Sequence, residues 1–254
     1  MVAGKNRQIT ESAHESDREK TIGAKGMTKT TEQSKPQHFL VVDDHESVLQ
    51  GTVPALQRAY PQAKILTAQH YAAAVKVIEA VKPDLMVVDL SLPESAGAAA
   101  TPDVGLTLVE QILTGALLGK RWAPNVAVLS TDINPLVRLK ATIKAYEGGF
   151  SAMDKSLPLQ EMIQYINFAM RGSVYLPQSV KSRPELHAKW MELLRLRFDE
   201  GLNDKAIAKR MGTSDRTIRN YWIRIQDTLL IGDDPDKDLR VQIEIEARRI
   251  GLIN

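Results

Sequence analysis

From residue 38 onward, short runs of uninterrupted apolar residues alternate with longer stretches whose apolar positions return every three or four residues. The runs HFLVV (38–42), KILTA (64–68), DLMVVDL (84–90) and NVAVLS (125–130) predict strands, with a short fifth at FSAMDK (150–155). The stretches between and after them predict helices over 47–60, 71–81, 104–118, 135–149 and 159–172. In the first helix Val48, Leu49, Val53, Leu56 and Tyr60 fall on the inward side. Strands that are apolar throughout need cover on both faces, and strands separated by helices pair in parallel. A doubly wound (βα)5 domain of the α/β class is therefore expected over 38–172.

Residues 1–37 are polar and nearly empty of large apolar side chains, so they cannot bury enough surface to offset ordering entropy and are expected to be a disordered tail. RGSVYLPQSVKSRPE (171–185), with two prolines and little periodicity, predicts a connection, taken as 173–185. Beyond it, over 186–254, come three helical stripes: Trp190, Leu193, Leu194 and the stem of Arg197; Ala206, Ile207 and Met211; Ile218, Trp222, Ile225 and Leu229. Between the second and third, MGTSD supplies Gly212 for a tight turn, Ser214 as a cap and Asp215 in the first turn. Two helices joined by so short a turn predict a small all-α helix-turn-helix domain. A last amphipathic stretch with Leu239, Ile243, Ala247 and Ile250 on one face must pack on its own domain or on a partner protomer; the pattern leaves both open.

Composition narrows the chemistry. The 254 residues are 43% hydrophobic and 25% charged, enough for two cores, and contain no cysteine, which removes disulfides, thiolate metal sites and cysteine nucleophiles. There is no stretch long enough to span a bilayer and no signal-peptide core, so a cytoplasmic protein without a membrane partner is expected. A net charge of +2 is too mild to name a partner.

Local charge is more informative. In a parallel sheet ligands sit beyond the carboxyl ends of the strands. The residues there are Asp43 and Asp44 after the first strand, Asp89 at the end of the third, Ser130 at the end of the fourth and Lys155 at the end of the fifth. Singly, such residues are turn formers, caps or surface charges. Together they make an acidic pocket whose carboxylates stay ionised only if a cation compensates them, and hard oxygen ligands suit Mg²⁺. One carboxylate could then attack phosphorus in line, with Lys155 pairing the new charge and the Ser130 hydroxyl donating to a phosphoryl oxygen.

VVDDH, DLMVVDLSLP, VAVLS and MDKS resemble, in order, the four signature sites of response-regulator receiver domains of two-component signalling. The resemblance covers 38–172. It implies that Asp89 is the phosphoacceptor, that Asp43, Asp44 and Asp89 hold Mg²⁺, that Ser130 is the switch hydroxyl and that Lys155 contacts the phosphoryl group. Two departures stand out. Gly105, which resembles the glycine opening the third helix of the family, follows Asp89 by 16 residues, about twice the usual gap, so SAGAAATPD is an inserted loop read as a surface excursion. Three residues before Lys155, where many receivers carry an aromatic, stands Ala152; Phe150 is read as a packing residue.

The third stripe of the C-terminal half leaves a basic face of Arg216, Thr217, Arg219, Asn220, Ile223 and Arg224. Residues 203–224 hold six Lys or Arg (205, 209, 210, 216, 219 and 224) against Asp204 and Asp215, a balance that suits phosphate neutralisation and entry into a major groove. Arg219 could fork to guanine and Asn220 to adenine. EGLNDKAIAKRMGTSDRTIRNYWIRI resembles the scaffold helix, turn and recognition helix of LuxR-type DNA-binding domains, although RPELHAKW replaces the usual opening. The resemblance puts Arg219, Asn220 and Ile223 at base-contacting positions and Lys205, Arg216, Thr217 and Arg224 on phosphates.

The function expected is thus phosphorylation-controlled transcription. The partners are a sensor histidine kinase, double-stranded promoter DNA, RNA polymerase and, in the active state, a second copy of the chain. The only enzymatic chemistry expected is self-phosphorylation and autodephosphorylation at Asp89. One rival is an aspartate-based phosphatase or phosphotransferase, which would need a second acid two residues after the nucleophile, where Ser91 stands. Another keeps the receiver but gives the C-terminal helices an RNA or protein ligand.

Overall fold

The computed structural model describes residues 37–232 and 234–253. The expected tail, 1–37, lies almost wholly outside the described residues. In chain order the first half comprises β1 (His38–Val42), α1 (Glu46–Ala59), β2 (Lys64–Ala68), α2 (Tyr71–Val81), β3 (Leu85–Val88), the short β4 (Leu92–Pro93) and β5 (Ala100–Thr101), and α3 (Pro102–Thr114). It continues with β6 (Asn125–Ser130), a 3₁₀ turn (Asn134–Leu139), α4 (Lys140–Lys144), β7 (Phe150–Asp154), α5 (Leu159–Met170), β8 (Val174–Tyr175) and α6 (Gln178–Lys181). Among the described residues six strands form one sheet in the order β2-β1-β3-β6-β7-β8, every pair parallel.

Alternation along each strand explains why the runs are apolar throughout. Leu40, Val42, Met86, Val88, Val126 and Val128 enter one core with α2, α3 and the 134–144 segment. Their neighbours Phe39, Val41, Leu85, Val87, Ala127 and Leu129 enter the other, under α1 and α5. Both faces are dry, as a doubly wound α/β sheet requires.

The structure departs from the sequence pattern in three places. The helix expected over 135–149 is instead a 3₁₀ turn and a short helix ending at Lys144. In a 3₁₀ turn positions i and i+3 eclipse; Leu136 and Leu139 therefore share the sheet core while Val137, between them, is buried in a different cluster. The helix expected over 104–118 stops at Gly115, whose φ of 75° is a left-handed cap. The expected connection is also built into the sheet: Val174 and Tyr175 pair with Phe150 and Ser151, and Leu176 and Val180 are buried. The inserted loop is a minimal antiparallel pair, Leu92 with Thr101 and Pro93 with Ala100, anchored by fully buried Leu92.

The C-terminal half contains α7 (Ala188–Phe198), α8 (Asp204–Arg210), α9 (Asp215–Leu229) and α10 (Leu239–Arg249). Leu193, Leu194, Ile207, Ile218, Trp222, Ile225 and Leu229 form its core. Ile243, Ala247 and Ile250 join the same cluster, which decides the alternative left open by the sequence: α10 packs on its own domain.

Candidate phosphate pocket and nucleic-acid interface

Sheet hydrogen bonds bring the acidic residues together. The Asp43 amide donates to the Ala68 carbonyl at 3.1 Å, the Asp89 amide to the Val42 carbonyl at 2.9 Å, and the Lys155 amide to the Ser130 carbonyl at 3.1 Å. Each residue is thus fixed at one edge of the sheet by the strand that precedes it. Asp43, Asp89 and Ser130 are buried. Lys155 Nζ lies 2.7 Å from Asp43 Oδ2 and 2.7 Å from Asp89 Oδ2. The second oxygens are also engaged, Asp43 Oδ1 by the His45 amide at 2.9 Å and Asp89 Oδ1 by the Ser91 amide at 3.2 Å.

Burial and pairing act against each other here. Burial pushes the Asp43 carboxyl above the ordinary carboxylate range, with the hydrogen bond from Lys155 opposing it and the nearby charge of Asp89 adding to it. For Lys155 burial pulls the ammonium down, but the hydrogen bonds to Asp43 and Asp89 outweigh it and the net shift is upward. One cation therefore serves two buried carboxylates.

A second cation fits beside it. Asp43, Asp44, His45 and Asp89 each offer a ligand atom, all within 4.8 Å of one another. Asp44 Oδ1 lies 2.7 Å from His45 Nδ1, yet the geometry is not that of a hydrogen bond, and this oxygen is buried with no hydrogen-bond partner among the described residues. An unsatisfied carboxylate oxygen in an acidic hollow is what a hard divalent ion needs. The donor set thus fits Mg²⁺ at the three predicted carboxylates. His45 was not singled out by sequence reasoning; its only signal was its place directly after the aspartate pair.

The second candidate surface is the N-terminal half of α9. Ser214 Oγ accepts from the Thr217 amide at 3.1 Å, capping the helix where MGTSD predicted it. Ile218, Trp222, Ile225 and Leu229 face inward. Arg216, Arg219, Asn220 and Arg224 are exposed, as is Lys205 on α8. Ile223 is 54% exposed, an apolar side chain on a basic face. Thr217 is half-buried, its hydroxyl 2.9 Å from that of Ser214. Behind the helix, Trp222 Nε1 donates to Asp204 Oδ1 at 3.1 Å, and the Arg240 guanidinium stacks 3.8 Å from the Trp222 ring centroid while pairing with Asp204 at 3.1 Å. Asp204 and Arg240, which hold α8, α9 and α10 together around the tryptophan, were not legible as a pair because 36 residues separate them.

Comparison with known proteins gives a family match in the first half and similarity of sequence and fold over most of the chain. Residues 39–112 match the family model of the response regulator receiver domain. The transcriptional regulatory protein LnrK of Bacillus subtilis is 23% identical over 226 residues, covering 84% of this chain and 97% of that protein. The DNA-binding transcriptional activator DevR/DosR of Mycobacterium tuberculosis is 27% identical over 194 residues, covering 73% of this chain and 84% of that one. Among solved structures, the two-component response regulator RcsB in complex with DNA shares the fold with a TM-score of 0.50 at 20% identity, over 84% of this chain and 98% of that one.

Proposed function

We propose that this protein is a two-component response regulator that controls transcription by binding DNA, with Asp89 as its phosphoacceptor. The observation that carries this reading is the bridge of Lys155 between two buried carboxylates at the carboxyl ends of β1 and β3. The transcriptional role of the relatives supports it.

An Asp89 carboxylate oxygen forms a bond to phosphorus while the bond from phosphorus to a kinase histidine breaks. The bonding pair leaves on the imidazole nitrogen, and because the ring's other nitrogen carries a proton, the kinase side chain departs as neutral histidine. Lys155 holds the Asp89 carboxylate in place and afterwards pairs with the phosphoryl charge, and Ser130 at the end of β6 donates to a phosphoryl oxygen. Bound at Asp43, Asp44 and Asp89, Mg²⁺ would neutralise the transferred oxygens. Hydrolysis of the acyl phosphate returns the pocket to its starting state. The position two residues after Asp89 offers the Ser91 amide rather than an acid, which favours slow self-dephosphorylation over turnover of phosphate esters.

The exposed face of α9 enters the major groove. Arg219, Asn220 and Ile223 contact base edges, and Lys205, Arg216, Thr217 and Arg224 contact phosphates. The active protein is a homodimer on paired half-sites and engages RNA polymerase in the cytoplasm; among the described residues no helix is long and apolar enough to cross a membrane. Mobility shifts on selected duplex DNA test the reader. Arg219→Ala should weaken specific binding about 5- to 150-fold, equivalent to about 1–3 kcal/mol, while Arg58→Ala on α1 leaves it unchanged. Equal specific binding by both variants would contradict the assignment, and preference for RNA over duplex DNA would favour the rival.

A further inference from the structure

The 3₁₀ turn after Ser130 joins the two halves of the molecule. Val137 is buried among the side chains of the C-terminal core. Beside it, Arg138 Nη1 lies 2.8 Å from Asp103 Oδ1, and Arg138 Nε donates to the Gly251 carbonyl at 2.9 Å. Gly251 has a φ of +83°, and a Cβ there would come within 2.7 Å of the Asn134 carbonyl carbon, so only glycine allows this approach. The flanking residues Ile250, Leu252 and Ile253 are buried. Next along the segment, Lys140 Nζ donates to the carbonyls of Lys181 and Arg183 at 2.8 and 2.6 Å. Asp199, after α7, lies within electrostatic reach of both Arg138 and Asp103.

Asp103 connects this contact to the phosphate pocket. It stands in the first turn of α3, at the end of the inserted loop. Two residues on, the Gly105 amide donates to the Leu90 carbonyl at 3.0 Å, and any Cβ at Gly105 would collide with the carbonyl oxygens of Asp89 and Leu90. A backbone shift at 89–90 must therefore displace the turn that carries Asp103. The same segment is tied from its other side to Ser130, which three residues separate from Asn134.

We propose that residues 250–253 form a strap docked on the 134–140 segment, that Arg138 is its clasp, that Asp103 orients the clasp, and that a phosphoryl group on Asp89 opens it. The trigger rests on the phosphoacceptor reading above; the clasp does not. With the strap docked, Arg216, Arg219 and Asn220 remain exposed. The strap thus leaves the reading face open and restrains α10, and with it the direction in which that face is presented.

Hydrogen exchange of the full chain, followed by mass spectrometry, tests this. In the wild type the amides of 250–253 and 134–139 should be protected. Arg138→Ala should speed their exchange about tenfold, since it removes a charge-assisted hydrogen bond. Gly251→Ala should do the same by steric exclusion, and Asp103→Asn should do so more weakly. Unchanged exchange in β1 and β3 verifies that each variant is folded. Acetyl phosphate with Mg²⁺ should release the strap in the wild type and add little in Arg138→Ala. Wild-type exchange in both Arg138→Ala and Gly251→Ala overturns the clasp. A phosphoryl adduct at Asp89 with the strap still protected overturns the trigger. Absence of any adduct contradicts the phosphoacceptor function, and the variant arm still decides the clasp.

Discussion

Lys155 donates to Asp89 across 2.7 Å although 66 residues separate them in the chain. The same ammonium reaches Asp43, whose carboxyl burial pushes above the ordinary range, so a single positive charge holds two buried carboxylates together. Removing it should expose that conflict. Lys155→Met is expected to lower stability in urea unfolding by about 3 kcal/mol, as breaking a buried ion pair does. Mg²⁺ should recover more of the loss in the variant than it adds to the wild type, because the ion then supplies the missing charge. Equal Mg²⁺ effects on both proteins would argue against a shared site.

The raised Asp43 carboxyl sets a pH dependence. Its folded-state value lies above the unfolded 3.8. Protonation therefore favours the folded state: the contribution is full below 3.8 and is lost as pH rises through the folded value. A divalent ion binds the ionised form and reverses the sign. Stabilisation by Mg²⁺ should be greatest near neutral pH and fade as the solution is acidified through the raised value, measured as the difference in melting temperature with and without the ion. In Asp43→Asn this fading should be reduced.

Trp222 and Arg219 lie three residues apart on α9, and one is buried while the other, at the edge of the apolar stripe, is exposed. Trp222→Ala should cost about 3–5 kcal/mol of stability by leaving a cavity. Arg240→Ala, which removes the cation stacked on the ring and its ion pair with Asp204 but leaves no large cavity, should cost less, about 1–2 kcal/mol. Arg219→Ala should leave urea unfolding unchanged while it weakens DNA binding. A comparable stability loss in Arg219→Ala would mean that the residue supports the fold rather than the reader.

Gly105 marks where α3 touches the phosphoacceptor strand. Gly105→Ala forces a methyl group against the backbone of residues 89 and 90. It should destabilise the first half by about 1–3 kcal/mol and slow phosphoryl uptake. The same substitution at Gly51, where nothing lies near the added carbon, should have neither effect.

Strands were legible where burial on both faces leaves almost no polar position to confuse the pattern, as in His38–Val42 and Asn125–Ser130; Lys64–Ala68, at the sheet edge with Lys64 and Thr67 exposed, was marked only by its short apolar run. The strand ends then located Asp43, Asp89, Ser130 and Lys155 at one edge. The 134–144 segment was misread because its apolar residues serve two cores, Leu136 and Leu139 one and Val137 the other, and a period computed for one face cannot show this. β8 was missed because two residues carry no alternation, and its pairing depends on β7 being in place. The contacts of Arg138 and Arg240 depend on partners far away in sequence, which local pattern does not encode.

Covalent capture of phosphorus by Asp89 is the central claim, and intact mass after incubation with acetyl phosphate and Mg²⁺ tests it most directly. The wild type should gain the mass of one phosphoryl group, labile to base and hydroxylamine as an acyl phosphate is, and Asp89→Ala should gain none. An unmodified wild type, or an equal gain in Asp89→Ala, would contradict it.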